Sequence, residues 1–138
     1  MTNREMAEAH LRQARAILIE ARDLHARGVW NLVVRRAQEA VELALKAALR
    51  WAGVEVPRVH DVGDALVDHQ SRFPAEFRAH LDRFVAVSRR LGRERERSFY
   101  GDEATASAPQ HLYAERDADL ALEDAEFVAH WCGRLIGH

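Results

Sequence analysis

Residues 29–52, VWNLVVRRAQEAVELALKAALRWA, decide the fold class of this chain. Val33, Ala37, Ala40, Val41, Ala44 and Ala48 recur at intervals of three and four, which puts them on one face of a helix. Leu43, Leu45 and Leu49 widen that face past half the circumference, so the helix must be central, with several neighbours. Its other side carries Arg35, Glu39, Glu42, Lys46 and Arg50. Arg35–Glu39 and Glu42–Lys46 have the i,i+4 spacing of helix ion pairs, each stabilising by a few tenths of a kcal/mol. Gly53 is placed to end the helix.

Upstream, Thr2 and Glu5 have the spacing of a capping box, and Ala7, Leu11, Ala14, Leu18 and Ala21 mark a first amphipathic helix ending at Gly28. Downstream, 54–60 reads as a connector containing Pro57, after which Asp61 is placed to cap a short helix reaching about Gln70. Phe73-Pro74 breaks the chain again. From Ala75, the positions Phe77, Leu81, Phe84, Val85 and Leu91 predict a long fourth helix that runs into the charged stretch RRLGRERERSFYGD. Residues 101–113, with Gly101 and Pro109, form the one substantial loop. Ala114 to Ile136 closes the sequence as a helix with Leu120, Phe127, Val128, Trp131 and Leu135 inward, and with Glu115, Asp117 and Asp119 near the positive end of its dipole. No alternating strand pattern occurs. The expectation is an all-α, antiparallel up-and-down bundle of four long helices plus one short one, spanning 1–138 as a single domain.

Composition narrows the function classes. One domain's length at 48% hydrophobic residues leaves no room for a multidomain enzyme. Twenty basic against 22 acidic side chains exclude a polycation, so an anion site must be local. No apolar run reaches membrane-span length and MTNREMAEAH is no signal peptide, which points to a soluble cytoplasmic protein without membrane partners. The lone Cys132, on an apolar helical face beside Trp131, excludes internal disulfides and zinc knuckles and reads as a buried, inert thiol.

The local anion candidate lies in the fourth helix. Arg89, Arg93 and Arg97 fall on one ridge at i, i+4 and i+8, with Arg90 beside them, and the stretch 89–97 carries a local charge of +3 from five Arg and two Glu. Guanidinium forks match phosphate geometry, and like charges at this spacing repel unless something neutralises them. That something is either a bound phosphate or the acids Glu94, Glu96 and the last helix. Phe99 and Tyr100 follow, and an aromatic beside arginines can stack on a nucleobase or simply pack.

The segment WNLVVRRAQEAVELALKAALRWAGVEVPRVHDVGDAL, with Gln38-Glu39, Lys46, Gly53, Pro57 and His60-Asp61, resembles the prokaryotic HEPN domain. So does RERERSFYGDE followed by a Pro-containing loop, Tyr113 and the acidic helix ERDADLALEDAEFV. The resemblance spans roughly residues 5 to 136. It implies an antiparallel helical bundle, a homodimer, a minimal nucleotidyltransferase as partner, and association with nucleotide or RNA. Many relatives are ribonucleases with a motif of Arg, four to six residues, then His. Here Arg93 is followed at five to seven positions by Ser98, Phe99 and Tyr100, and Arg97 by Asp102, Glu103 and Ala104, so the His is missing. His111 comes too late, and a Tyr with a pKa near 10 is a poor base.

The reading is therefore a HEPN-like dimer that binds nucleotide or RNA phosphates through Arg89, Arg90, Arg93, Arg97 and Tyr100, with no assigned catalytic residue, cofactor or metal. One alternative is a metal-independent ribonuclease using a base other than His. Another is an HD-type metal phosphohydrolase built on His60-Asp61, with His25 and Asp102 in the remaining places. Against the latter, Asp61 is a natural helix cap and no second His stands at ligand spacing on a helix face. His10, His69, His80, His130 and His138 read as surface residues, and Trp30 and Trp51 as anchors at the helix ends.

Overall fold

The computed structural model of the chain describes residues 1–137. Four long helices carry the architecture: α1 (Asn3–Ala26), α2 (Trp30–Trp51), α5 (Leu81–Tyr100) and α6 (Glu115–Ile136). Two short ones, α3 (Gly63–Asp68) and α4 (Ala75–Arg78), lie between α2 and α5. No strand occurs among the described residues, and no helix among them is long and apolar enough to cross a membrane.

Central α2 packs against α1, α5 and α6, as its broad apolar face requires, and Val33, Val34, Ala37, Ala40, Val41, Ala44, Leu45, Ala47, Ala48 and Leu49 are all buried. Thr2 caps α1 by accepting from the Glu5 amide at 3.1 Å, and the predicted stripe from Ala7 to Ala21 is fully inward. Trp30 and Trp51 sit half-buried at the ends of α2, Trp51 stacked on Phe73.

Three expectations shift. The predicted fourth helix is divided, because the chain turns at Ala79-His80 before α5 starts. That turn lets Phe73, Phe77 and Phe84 pack in series and seats the His80 ring 4.2 Å from Trp131. His80 is thus no surface residue, and half-buried His10 has a buried Nδ1 without a hydrogen bond; His138 lies outside the described residues. On α6 the innermost face is the small-residue one, Ala118, Ala121, Ala125, Val128, Cys132 and Ile136. Phe127, Trp131 and Leu135 flank it half-buried, and Leu120 stays 46% exposed.

The connector carrying His60 and Asp61 lies across α5 at Gly92, where a Cβ would stand 3.4 Å from the Asp61 Cβ. Asp61 Oδ1 accepts from the Gly63 amide at 2.9 Å and from the Ser88 hydroxyl at 2.9 Å. The predicted cap is thus corrected: Val62 holds the N-cap position of α3 without a side-chain cap, and Asp61, one residue earlier, folds onto the Gly63 amide and pins the connector to α5.

Candidate functional site

The predicted ridge exists, but its members differ in what they already touch. Arg89 reaches Asp64 at 3.3 Å and Asp61 at 3.6 Å, both on neighbouring chain segments. Arg90 lies 2.5 Å from Asp124 on α6. Arg97 faces Glu94 at 3.8 Å, with its guanidinium 5.8 Å from the Tyr113 ring. Arg93 is exposed and has no hydrogen bond or ion pair among the described residues.

The two aromatics also divide. Phe99 lies under the Arg35 guanidinium at 4.9 Å, whereas Tyr100 is 66% exposed and meets the Phe99 ring edge-on. Helical geometry places Arg89, Arg93 and Tyr100 along the outward face of α5, with Arg97 at its border and Arg90 turned toward α6. Ser98, at the first of the positions where a motif His would stand after Arg93, is fully buried and donates its hydroxyl to the Arg95 carbonyl at 3.1 Å. It reaches no surface.

Beside Arg97 a cleft of about 180 Å³ opens between α5, the 101–113 loop and α6, lined by Arg90, Glu94, Leu112, Tyr113 and Leu120. The Tyr113 hydroxyl donates to Glu94. Burial and the Glu94 carboxylate both push the phenol well above its ordinary range, so it stays a donor and is no base.

A second cluster forms on the side of α5 that faces α2, centred on Glu42. Lys46 donates to it at 2.8 Å, Gln38 at 3.0 Å, and His60 Nδ1 lies 2.9 Å away. Arg95, the fifth arginine of the charged stretch, turns inward to Gln38 at 2.7 Å and stands 3.7 Å from Glu42. Burial raises the Glu42 carboxyl, but the bonds from Lys46, Gln38 and His60 outweigh it and hold the group below its ordinary value. The Glu42 carboxylate thus faces two permanent cations, Lys46 and Arg95, the second of which also lies 3.9 Å from Glu96. His10 is held below its ordinary value by burial, then by Arg50 and Lys46. Gln38, Glu42 and Lys46 share one face at successive i,i+4 steps, a visible signal. The approach of His60 and Arg95 from other segments left none.

The four residues of the metal-phosphohydrolase pattern do not meet. His60 faces Glu42, Asp61 binds Ser88, and Asp102 closes a turn by accepting from the Ala104 amide at 3.0 Å. His25 lies instead against α6, 2.5 Å from Asp119. Sequence spacing among the histidines missed this juxtaposition, since its members come from opposite ends of the chain.

The HEPN domain family model matches residues 7–135. Among solved structures, ST0689, an archaeal HEPN homologue, is 28% identical with a TM-score of 0.72, over 94% of this chain and 97% of that one. TT1696 from Thermus thermophilus is 25% identical with a TM-score of 0.74, over 93% and 96%. No curated protein matches the sequence. With the family model covering nearly its whole length, the chain belongs to the HEPN domain family.

Proposed function

We propose that this HEPN protein is a homodimeric binding module that holds the phosphates of a nucleotide or RNA on the outer face of α5, and that it partners a minimal nucleotidyltransferase in a toxin–antitoxin-like pair. The observation that carries the reading is Arg93, an exposed guanidinium with no ion-pair partner among the described residues, on the same outward face of α5 as the exposed ring of Tyr100. Arg97 adds a weakly held second charge at 3.8 Å from Glu94. Arg89 and Arg90 are committed to acids of this chain and serve as its supports. A phosphate accepts paired bonds from such forks while a base stacks on the tyrosine. Exposed Phe99 and Leu120 favour burial against a second copy. Fluorescence anisotropy with a labelled RNA oligonucleotide tests the ligand; copurification with the product of an adjacent nucleotidyltransferase gene tests the partner.

One observation favours the ribonuclease reading as second choice. His60, oriented by half-buried Glu42 and with no bond at Nε2 among the described residues, shares that carboxylate with Lys46 and Arg95 and supplies the proton-transfer group that Ser98 cannot. The base would then be a histidine after all, from outside the motif. RNA cleavage that His60→Ala abolishes, with RNA binding retained, would promote this reading over the first.

A further inference from the structure

The C-terminal turn of α1 and the N-terminal turns of α6 bring together His25, Glu115 and Asp119, whose candidate ligand atoms all lie within 4.8 Å of one another. No other group of three or more His, Cys, Asp or Glu side chains among the described residues does so. His25 Nε2 and Asp119 Oδ1 are already 2.5 Å apart. From these contacts we propose that the three side chains form an exchangeable binding site for a divalent transition-metal cation of the zinc type. The site is independent of the α5 ligand face.

Three features go beyond charge alone. First, the set is mixed and crosses two helices, one imidazole nitrogen from α1 and two carboxylates one turn apart on α6. Tetrahedral zinc with bonds of about 2.0–2.2 Å holds its ligands about 3.4 Å apart, so side-chain torsions alone can close the triangle. Second, the carboxylates are not used up by the helix start. Asp117 does that work, accepting from the Ala114 amide at 2.8 Å, while Glu115 has no hydrogen bond or ion pair among the described residues. Third, Trp30 braces the His25 ring edge-on, with centroids 5.1 Å apart, which limits the rotamer entropy lost on coordination.

The donor set selects the ion. Magnesium and calcium take oxygen ligands throughout, whereas one imidazole with two carboxylates suits zinc and its neighbours. Glu115 and Asp119 are exposed and only three protein ligands are present, so water completes the sphere and the ion exchanges readily. The carbonyl pole at the end of α1 favours the cation while the positive pole at the start of α6 opposes it, so binding rests on the ligands and not on the helix dipoles. Bound there, it ties the end of α1 to the start of α6, positions 94 residues apart in sequence.

The test uses the tag-free full chain, stripped with a chelator and titrated with Zn²⁺ by calorimetry and with Co²⁺ by visible absorption. One saturable equivalent is expected, together with a melting temperature raised by several degrees and restored by chelator. His25→Ala and Glu115→Gln should each weaken binding tenfold or more, while His60→Ala should bind as wild type. Glu115→Gln keeps the inference falsifiable if His25→Ala fails to fold, because Glu115 has no bond to lose in the metal-free protein. No saturable binding up to millimolar Zn²⁺ would overturn the site. So would an equivalent that survives Glu115→Gln or disappears with His60→Ala.

Discussion

The Arg90 guanidinium lies 2.5 Å from the Asp124 carboxylate, which also takes Arg83 at 3.1 Å. Asp124 is well covered, so this α5–α6 contact commits Arg90 to structure and leaves unpaired Arg93 and weakly paired Arg97 as the ridge cations to meet a ligand. Arg93→Ala with Arg97→Ala should weaken RNA binding and lower the salt dependence by about one unit of slope per lost phosphate contact. The melting temperature should hardly move, since exposed truncations usually cost under about 0.5 kcal/mol. Anisotropy across a salt series and a thermal melt on one double variant check both. Unchanged binding with a dissociated dimer would instead assign these arginines to the subunit interface.

Replacing Glu42 with Gln should act in the opposite way, on stability first. The neutral amide leaves Lys46 and Arg95 half-buried without their shared counter-charge, a loss of about 1–3 kcal/mol. Denaturant unfolding should report it. Adding Lys46→Ala to Glu42→Gln should cost less than the sum of the two single changes, because the second removes a charge already orphaned.

Acid should destabilise the protein in two stages of the same sign. His10 has a folded pKa below its ordinary 6.5, so the unfolded chain binds the proton better and stability falls as pH drops through about 6.5. Glu42 sits below its ordinary 4.5, and its contribution, present above that value, is lost as pH falls further through the folded pKa. His10→Gln should remove the first stage and leave the second. Melting temperatures from pH 8 to pH 3 would show whether the stages separate.

Gly101→Ala should be costly for a single methyl. The residue has φ +84°, and a Cβ there would lie 2.3 Å from the Ser107 carbonyl oxygen. That carbonyl accepts from the Asp102 amide at 2.9 Å in the turn after α5, so relief of the clash breaks the turn. We expect a loss of about 1–3 kcal/mol, read by chemical denaturation.

Cys132 should be silent toward thiol reagents in the native state. Its side chain is fully buried, and burial pushes the thiol well above its ordinary range. A chromogenic disulfide should titrate it only after denaturant is added; reaction at the native rate of a free thiol would contradict the packing of α6.

The bundle was legible in the sequence because its information is local. A 3.6-residue period marks the inward face of α1 and α2 without knowledge of what lies opposite. It misled on α6, where alanines pack innermost and bulky Leu120 remains outside, since an alanine stripe looks weaker than a leucine one. The division of α4 from α5 places His80 against Trp131, 51 positions away, and no local signal encodes that contact. The site follows the same rule. Five arginines in nine residues were visible, but their partners Asp61, Asp64 and Asp124 belong to other segments, so sequence alone could not separate the committed from the free. His25 with Asp119 was invisible for the same reason.

The seating of α6 against α2 has a consequence for synthesis. Residues 1–52 can form the α1–α2 hairpin with local contacts alone, and such pairings assemble quickly. The side of α2 that packs against α6 stays open until residues 115–136 have been made. A nascent chain therefore leaves the ribosome with its central helix wet along one side, and its cooperative core closes only after translation of the last helix. Stalling before that point would expose a ready surface for chaperones or for another unfinished copy.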